Sequence, residues 1–539
     1  MKYNIFSVAA VSVSMMMLTA CYEDKGNYTY SDLEEVTVEF PENIVAMEKS
    51  EPLAFSPTVV SSINGEIKSD NPDYEFGCQL YRQAQIDGQT VYWHDINPDK
   101  SKDVNIMLPD VPANNYTIWY TVTNKKSGVT FNFKNTVSIK STTSEGWMVL
   151  SKGADSKAKL GIIYTHANGT EMVRDNVLPE DGPEIIDPTG VSMLPVYGYS
   201  TGDEIYLTAK KGAYKLNVTT LAPGATDLIR NLMFISPNIP GDVINYHGVY
   251  NSGTYKYVTS TCVTSEGNCY GVYSNSAGAC FEFPLNSDAY SNDPTYKVSP
   301  FIGSSQTRPG NSGKALFYDI TNKRFMVFNY YQAYYYGNAG KVLFQAQEPE
   351  NPKFSFVTGM DIVDMESTRF SDGEVFSVLQ DADGHRHVYG IMVNTYSQSN
   401  VLEQGEKYSD ISAPDFDTAE DYAFHSMYAF MFYSKGNKVY CYNLGTKSPA
   451  GVITLDPSEK ITKIKFNLYQ MASQSYLTNQ SEDFMNMQYK LIVASDNGSE
   501  GGSKVRFYNV SDRGDLSLYK EFGGFSGEIV DVTYRERHP

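Results

Sequence analysis

The stretch KVYCYNL at Lys438–Leu444 is repeated in similar form as KVRFYNV at Lys504–Val510. Both copies combine β-branched and aromatic residues, which favour strands. Each copy follows a turn that contains glycine, and an apolar run of strand-like composition precedes each turn. A strand, a tight turn and a second strand in this order predict an antiparallel hairpin. The sequence thus contains the same hairpin at two places 66 residues apart.

Two weaker relatives extend this repeat, GAYKLNV at Gly212–Val218 and NKRFMVF at Asn322–Phe328. The polar stretch Met471–Met487 is interpreted as an insertion into one repeat. A β-hairpin unit that recurs over residues 146–539 predicts a β-propeller. At roughly 50 residues per blade, the region predicts about seven blades, with eight as the alternative. A string of β-sandwiches is the rival fold, and it is less favoured because no polar linker interrupts the region.

Residues 31–140 predict a separate β-sandwich. Val36–Phe40, Tyr116–Val122 and Val129–Phe133 alternate apolar and polar side chains. Alternation with a period of two gives each strand one apolar and one polar face, which is typical of strands that cover a sandwich core. The short polar segment Ser141–Glu145 joins this region to the predicted propeller.

The first 20 residues predict an export signal. Lys2 is followed by an apolar stretch from Ile5 to Leu18 and then by Leu18-Thr19-Ala20-Cys21. A charged start, a short apolar region and small residues before a cut site are typical of a secretory signal peptide. The Leu-x-Ala-Cys pattern resembles the bacterial lipobox, so Cys21 is the predicted lipidation site and 21–30 the lipidated tether. An ordinary signal peptide with a cysteine at its cut site is the alternative.

Two acids follow the predicted lipid anchor, Glu23 and Asp24. They resemble the acidic tag that sends some lipoproteins to the outer face of the outer membrane, which predicts an anchored protein that faces the exterior. A charged, solvated tether is the alternative interpretation. The formal net charge of −20 argues against nucleic acid as a partner, because both would be anionic.

Cysteines beyond Cys21 number five. Cys262 and Cys269 flank a turn-rich loop, so a local disulfide and two buried free thiols are both open interpretations. The state of Cys280 is open as well.

The segment CYEDKGNYTY at Cys21–Tyr30 resembles the start of the PKD-like family of surface lipoproteins, whose members begin Cys-x-x-Asp-x-Gly-Asn-Tyr-x-Tyr. Glu145–Ser151 resembles the family's junction into its second domain, and Phe522–Val532 resembles its closing strand. The Trp-Asp-Phe-Gly-Asp-Gly motif of ordinary PKD domains is absent from the sequence. The resemblance implies a PKD- or immunoglobulin-like sandwich followed by a propeller-like region.

One cluster of tyrosines is a candidate ligand-binding site. Of the 42 tyrosines in the chain, five fall within seven positions. They are Tyr330, Tyr331, Tyr334, Tyr335 and Tyr336. Tyrosine offers a flat apolar ring and a polar tip, which suit stacking on sugar rings or contact with peptides. Chance clustering is the alternative in a chain so rich in this residue.

Other motifs carry weaker predictions. Asp381–His387 (DADGHRH) is interpreted as a hairpin turn and not as a metal site, because a glutamate at position twelve of a calcium loop is missing. Asp417-Thr418-Ala419 resembles a bacterial O-glycosylation sequon, with Thr418 as the acceptor. No catalytic, metal-binding or cofactor-binding residues are predicted, because hydrolase elbows and phosphate-binding glycine loops are absent.

The resemblance implies an accessory subunit of an importer of the starch-utilisation (Sus) type, composed of a TonB-dependent transporter and its lid lipoprotein. The predicted function is therefore non-enzymatic capture or presentation of a peptide or oligosaccharide for nutrient uptake. A propeller-type glycan-degrading enzyme and a purely structural docking lipoprotein are the alternatives. The sequence does not distinguish a peptide from a glycan ligand.

Overall fold

The computed structural model describes residues 33–42, 44–47, 52–82, 92–108, 111, 114–166, 169–196, 202–232, 241–251, 257–273, 279–280, 283–305, 313–393, 397–469 and 482–536. The predicted signal peptide, the tether and Cys21 lie outside these residues. The chain divides into two compact units, Met1–Ile139 and Lys140–Pro539.

The regular secondary structure that is described in the first unit consists of strands. Its described strands are β1 (Val36–Glu39), β2 (Val45–Met47), β3 (Pro52–Phe55), β4 (Thr58–Ser61), β5 (Gly65–Glu66), β6 (Tyr74–Arg82), β7 (Tyr92–Asp95), β8 (Val104–Met107), β9 (Asn114–Asn124) and β10 (Thr130–Lys140). They form a five-stranded sheet in the order β2-β10-β9-β6-β7, a three-stranded sheet β1-β4-β5 and a two-stranded sheet β3-β8.

The core of this unit follows from the alternation of side chains along its longest strands. Phe76 and Leu80 on β6 and Ile118 and Tyr120 on β9 point inward and are buried with residues of the other two sheets. The residues between them lie on the opposite face of the five-stranded sheet, since successive side chains of a strand alternate. This is the arrangement that the period of two predicted.

The second unit holds the remaining strands. In chain order they are β11 (Gly146–Lys152), β12 (Ala158–Thr165), β13 (Glu171–Arg174), β14 (Ile186–Val196), β15 (Gly202–Lys211), β16 (Tyr214–Leu216), β17 (Pro223–Leu228), β18 (Val243–Asn251), β19 (Tyr257–Thr264), β20 (Cys269–Tyr273), β21 (Ala279–Cys280), β22 (Gly303–Ser304), β23 (Lys314–Asp319), β24 (Arg324–Asn329), β25 (Leu343–Gln345), β26 (Asp361–Ser367), β27 (Glu374–Gln380), β28 (Arg386–Met392), β29 (Glu403–Tyr408), β30 (Asp421–Phe424), β31 (Phe430–Lys435), β32 (Lys438–Asn443), β33 (Ser448–Thr454), β34 (Lys460–Lys465), β35 (Leu491–Asp496), β36 (Ser503–Val510), β37 (Leu516–Phe525) and β38 (Glu528–Arg535).

Helices are short. The α-helices of the described residues are α1 (Tyr330–Tyr335) and α2 (Glu482–Asn486), and single 3-10 turns occur at Ile229–Leu232, Gly337–Gly340, Phe370–Asp372, Phe416–Thr418 and Met487–Tyr489. Among the helices that the structure describes, none has the length and apolar character needed to cross a membrane.

The described strands of the second unit form seven antiparallel sheets of four strands each, in the orders β13-β12-β11-β38, β14-β15-β16-β17, β18-β19-β20-β21, β22-β23-β24-β25, β26-β27-β28-β29, β30-β31-β32-β33 and β34-β35-β36-β37. Six of the sheets consist of four consecutive strands. The first sheet differs, because the last strand of the chain pairs with β11 along Gly146–Lys152. The final strand thus joins the end of the unit to its beginning.

Apolar side chains fill the space between neighbouring sheets. On β23, Leu316 and Tyr318 pack against the sheet of β27, while Ala315 and Phe317 pack towards the sheet of β19. Similar clusters join the first sheet to the second, the fifth to the sixth and the sixth to the seventh, and the last sheet packs against the first through Phe507 and Val149. Between the second and third sheets, the rings of Tyr206 and Tyr246 stack. A closed ring of four-stranded sheets is a β-propeller, so the predicted all-β class and the predicted propeller are confirmed.

The repeated motif occupies the same position in each of its sheets. Lys438–Asn443 and Ser503–Val510 are both third strands, and so are the strands within the two weaker relatives, Tyr214–Leu216 and Arg324–Asn329. The interpretation of Met471–Met487 as an insertion falls mostly on residues outside the described part of the chain. Its described end forms α2 and the start of the following turn.

Candidate functional site

The first strand of each sheet, or β38 in the first sheet, lies at the centre of the propeller. These edge strands contact one another around the ring, for example β38 with β14, β14 with β18, and β30 with β34. The inner strands of a propeller surround a central channel, which is a common location of ligand sites in this fold.

A bulge recurs at the same point of these inner strands. The pairing register shifts between Ile362 and Asp364 on β26, between Ile461 and Lys463 on β34, and before Asp531 on β38. A bulge bends a strand and changes the direction of the side chain that follows. The charged residue directly after each of these bulges belongs to the cluster at the channel.

This channel cluster contains four acids and two lysines, namely Asp364, Glu366, Asp421, Lys463, Lys465 and Asp531. Lys463 Nζ lies 2.7 Å from Asp421 Oδ1, and Lys465 Nζ lies 2.7 Å from Asp531 Oδ1. Lys463 interacts with the charges of Asp364 and Glu366 as well. The cluster therefore has two lysines for four carboxyl groups.

Burial in the channel changes the protonation of two of the acids. It raises the pKa of Asp364 to about 7 and that of Glu366 to about 8, although the charge of Lys463 lowers both. For Lys463, burial opposes the charged form, but the carboxylates of Asp421, Asp364 and Glu366 raise its pKa above the usual value. Near neutral pH the cluster therefore favours retained protons on Asp364 and Glu366 and keeps Lys463 charged.

The same carboxylates connect neighbouring inner strands. Glu366 accepts a hydrogen bond from the Phe424 N–H at 3.2 Å, and Asp421 accepts one from the Ile464 N–H at 2.6 Å. On the first and second sheets, Asp531 accepts one from the Val191 N–H at 2.9 Å. Each acid thus binds the backbone of the next sheet, which gives the cluster a structural role along the channel.

The tyrosine cluster lies elsewhere, on α1 and the turn after it, between the third and fourth strands of the fourth sheet. Asn329 is the N-cap, and its Oδ1 accepts hydrogen bonds from the N–H groups of Tyr331 and Gln332 at 3.1 and 3.3 Å. Its Nδ2 donates to Ser397 O, Ser399 O and Asn400 Oδ1 at 3.0–3.2 Å. The side chain of Asn329 is fully buried, so it fixes the start of the helix to the neighbouring loop.

The five tyrosines divide between the core and the surface. Tyr330 is buried and packs edge-on against Phe328. The rings of Tyr331 and Tyr335 lie 4.4 Å apart, as expected for side chains four positions apart on a helix. Tyr335 is 60% exposed and Tyr336 is 53% exposed. The backbone of Tyr334 belongs to α1, and its side chain lies outside the described part of the structure.

Hydrogen bonds hold this surface in place. Tyr336 Oη donates to Gln398 Oε1 at 3.1 Å, and Gln332 Nε2 donates to Gln398 O at 2.6 Å. The aromatic surface defined by Tyr331, Tyr335 and Tyr336 is therefore attached to the loop of the adjacent sheet. We call it the tyrosine surface.

The other predicted sites are placed as follows. Thr418 is exposed at the end of the 3-10 turn Phe416–Thr418, and its hydroxyl donates only a long bond of 3.3 Å to Asp415 O. Asp381–His387 contains the turn between β27 and β28, which confirms the predicted hairpin. In the described part of the chain, no group of three or more His, Cys, Asp or Glu residues is arranged to hold a metal ion.

The cysteines of the described core are free thiols. Cys262 and Cys269 are both buried and unbridged, so the alternative of small buried apolar residues applies to them. The side chain of Cys280 is outside the described residues, as is the whole of Cys21.

The channel cluster was missed by sequence reasoning. A signal is present in the inner strands, where an isoleucine is followed two positions later by a charge and four positions later by a polar or charged residue. It occurs as IVDME at Ile362–Glu366, ITKIK at Ile461–Lys465 and IVDVT at Ile529–Thr533. These segments are far apart in the chain, and only the ring of sheets brings their charges together.

Comparison with known proteins gives one match to a family. The model of the PKD-like family matches residues 21–186, which agrees with the resemblance predicted for this part of the chain. The match includes the predicted junction Glu145–Ser151 and does not reach Phe522–Val532. No curated protein matches the sequence.

Several solved structures resemble the chain at low similarity. A quinonprotein alcohol dehydrogenase-like protein from Bacteroides thetaiotaomicron is 12% identical with a TM-score of 0.38, over 94% of this chain and 100% of that one. The β-propeller domain of Swd1 from Myceliophteria thermophila is 8% identical with a TM-score of 0.40, over 68% and 96%. A periplasmic gluconolactonase from Pseudomonas aeruginosa is 12% identical with a TM-score of 0.38, over 73% and 99%.

Proposed function

We propose that this protein is a non-enzymatic lipoprotein of the outer-membrane surface that captures a peptide or an oligosaccharide for a TonB-dependent importer of the Sus type. The observation that carries the proposal is the tyrosine surface. Tyr335 and Tyr336 keep more than half of their area exposed while hydrogen bonds and the Asn329 cap fix the helix beneath them. Rigid aromatic side chains lose little conformational entropy on binding, so they are effective contact residues.

The binding experiment compares the protein with the Tyr335→Ala/Tyr336→Ala variant on arrays of oligosaccharides and peptides. We expect at least tenfold weaker binding of the captured ligand. Tyr290→Ala is the matched control, because Tyr290 is 66% exposed on a different loop. If the double variant and the wild type bind with equal affinity and unfold at the same midpoint temperature, the tyrosine surface is not the site of capture.

The proposed location of the protein at the cell surface depends on the first residues of the sequence. The lipobox-like Leu18–Cys21 and the acids Glu23 and Asp24 support a lipid anchor and export to the exterior. Labelling of cells with a fatty-acid probe tests the anchor, and Cys21→Ser is expected to abolish the label. Protease treatment of intact cells tests exposure, since a protein that faces inward would resist it.

The partnership with an importer is tested by purification. The proposal expects that the detergent-solubilised protein copurifies with a TonB-dependent transporter and its lid lipoprotein. A lone, monodisperse protein under mild conditions would contradict that part of the proposal. It would leave ligand capture intact, because the arrays measure capture without the importer.

Two finer features belong to the same proposal. We infer that each four-stranded sheet is one blade, which gives seven blades closed by β38. We also infer that Thr418 is an O-glycosylation site, which the exposed position of the residue supports. A glycan mass on the peptide of the native protein that disappears in Thr418→Val is the expected result.

A propeller-type glycan-degrading enzyme is the second candidate. Asp364 and Glu366 favour it, because a carboxyl group with a pKa near 7 or 8 can act as a general acid at neutral pH. Release of reducing sugar from a bound glycan, abolished in Glu366→Gln, would replace the non-enzymatic proposal. The hydrogen bond that Glu366 accepts from the Phe424 N–H of the neighbouring inner strand favours a structural role for this residue instead.

A further inference from the structure

We propose that the first unit is itself a glycan-binding module, whose site is a cleft on the open face of its five-stranded sheet. The cleft has a volume of about 260 Å³ and is lined by residues of β6, β9 and the segment 95–100. This inference stands independently of the proposed function of the tyrosine surface. The proposed function assigns no binding role to this unit.

The walls and floor of the cleft follow from the register of the sheet. Trp119 on β9 pairs with Gln79 on β6, and Thr121 pairs with Gly77. A Cβ at position 77 would lie 2.5 Å from Thr121 Oγ1. Because Gly77 has no side chain, the hydroxyl of Thr121 can occupy this space above β6. The segment from Asp95 to Lys100 forms the opposite wall, and the Asn97 amide fixes it by donating to Phe76 O and Ser101 O.

Trp119 provides the aromatic side of the cleft. Its position on β9 places it on the face opposite the core residues Ile118 and Tyr120. The ammonium of Lys134 lies 4.1 Å from the centre of the indole ring, on the β10 side, whereas the cleft lies on the β6 side. The ammonium of Lys134 therefore contacts the indole on the side away from the cleft. The indole itself is a planar aromatic ring that borders a polar cavity.

Polar groups with unused hydrogen-bonding capacity surround this ring. Within the described residues, the side chains of Gln79 and Thr121 form no hydrogen bond, and Gln79 is exposed. Asp95 uses Oδ1 to accept the Asn97 N–H and is otherwise exposed. An amide, a hydroxyl and a carboxylate beside an aromatic ring match the alternating hydroxyl groups and apolar faces of a sugar.

The charge of the cleft selects a neutral glycan. Glu75 and Lys100 neutralise each other in an ion pair of 2.6 Å, and Asp95 is the remaining charge of the lining. Because this carboxylate repels anions, uronate-rich and sulfated chains are disfavoured. A peptide fits less well, because Phe76 and Cys78 point to the core and leave Trp119 and Pro98 as the apolar side chains of the lining.

The test is calorimetric titration of the detergent-solubilised full-length protein with soluble α-glucan, β-glucan, xylan and galactomannan. Polygalacturonate, chondroitin sulfate and a mixture of peptides serve as the other probes. We expect binding of at least one neutral polysaccharide, at least tenfold weaker in Trp119→Ala and severalfold weaker in Gln79→Ala. Thr136→Ala is the control, because Thr136 is exposed on β10 and does not line the cleft.

Each outcome decides the proposal. Absence of binding to every neutral polysaccharide overturns it, as does binding of anionic chains or peptides alone. Equal affinity of wild type, Trp119→Ala and Gln79→Ala overturns it as well. Since Gln79 is exposed, its substitution gives a result even if Trp119→Ala fails to fold.

The Tyr335→Ala/Tyr336→Ala variant separates the two sites. Glycan binding that survives in this variant and is lost in the cleft variants supports the cleft and argues against capture at the tyrosine surface. The reverse pattern overturns the cleft and leaves the proposed function in place.

Discussion

The carboxylate of Asp531 accepts a hydrogen bond from the backbone N–H of Val191 at 2.9 Å, across 340 positions of the chain. The same side chain binds Lys465 Nζ at 2.7 Å. Asp531 thus connects the last strand, β38, to the inner strands of the second and the seventh sheets. Because β38 also pairs with β11, closure of the propeller and the charge cluster of the channel meet at one residue.

Loss of this carboxylate should destabilise the ring. We expect Asp531→Ala to lower the free energy of unfolding by about 3–5 kcal/mol, because it leaves a largely buried lysine and a backbone N–H without their acceptor. Asp531→Asn keeps an acceptor oxygen for Val191 and should cost less. Chemical denaturation followed by circular dichroism measures the difference. An Asp531→Ala protein as stable as the wild type would contradict the role of this residue in closure.

Glu374 gives the second prediction, which concerns pH. The residue starts β27 and is 4% exposed. Its carboxylate occupies a slot over Gly390 and Gly405, where a Cβ on either glycine would lie 1.7 Å from Oε1. Burial raises the pKa of Glu374 to about 7, although Lys353 lowers it. The slot therefore favours the protonated carboxyl group.

The sign of the pH effect follows from this shift. The folded protein binds the proton of Glu374 more tightly than the unfolded chain, whose pKa is near 4.5. Stability is therefore lost as pH rises from about 4.5 through 7. We expect Glu374→Gln to be more stable than the wild type at pH 8, by roughly 2–3 kcal/mol, with no such advantage at pH 4.5.

Denaturant titrations between pH 4.5 and pH 8 measure this difference. Glu403→Gln is the control, since Glu403 is an exposed acid on the neighbouring strand β29 and does not contribute to the pKa shift of Glu374. A constant difference between Glu374→Gln and the wild type over this range would contradict the raised pKa. Gly390→Ala should destabilise the protein at every pH, because the added methyl group would overlap the carboxylate.

Lys463 gives the third prediction. Its ammonium is the nearest balancing charge for Asp421 and lowers the pKa of both Asp364 and Glu366. Without it, the carboxyl groups of the channel should hold protons to higher pH. We therefore expect Lys463→Met to destabilise the protein more at pH 8 than at pH 6.

The matched control is Lys460→Met, because Lys460 lies on the same strand and is exposed. Its substitution should change stability by less than about 0.5 kcal/mol, as for most surface positions. Thermal unfolding of both variants at the two pH values tests the contrast. A pH-independent effect of Lys463→Met would mean that packing of its side chain matters more than its charge.

The sequence predicted what depends on local pattern. Alternation at Tyr116–Val122 and the copies at Lys438–Leu444 and Lys504–Val510 each depend on neighbouring residues, and both correspond to strands of the expected kind. The pairing of β38 with β11 could not be predicted in this way, because it joins segments at opposite ends of the propeller. No local property of either segment specifies its partner.

The candidate sites were predicted only in part, because they too depend on contacts between distant segments of the chain. Five tyrosines in seven positions are visible in one stretch, but their division between core and surface depends on the helix that Asn329 caps. The channel cluster combines acids and lysines from four inner strands, so its charges become neighbours only when the ring closes. Trp119 gave no signal, since a single tryptophan in a strand is as common in a core as beside a ligand.

Asn329 gives the last prediction. Its buried amide caps α1 and donates three hydrogen bonds to the loop that carries Ser397 and Asn400. Replacing an asparagine N-cap by alanine costs about 0.5–2 kcal/mol, and buried groups left without partners add to this loss. We expect Asn329→Ala to increase amide hydrogen exchange over Tyr330–Tyr336 by at least tenfold.

The control for this prediction is Gln332→Ala, which removes contacts to Gln398 and Asn400 and keeps the cap. It should increase exchange less than Asn329→Ala. Because the tyrosine surface depends on a fixed helix, Asn329→Ala should also weaken ligand capture while Tyr335 and Tyr336 remain present. Unchanged exchange in Asn329→Ala would show that packing of Tyr330 alone fixes α1, and the tyrosines would then not depend on the cap for their orientation.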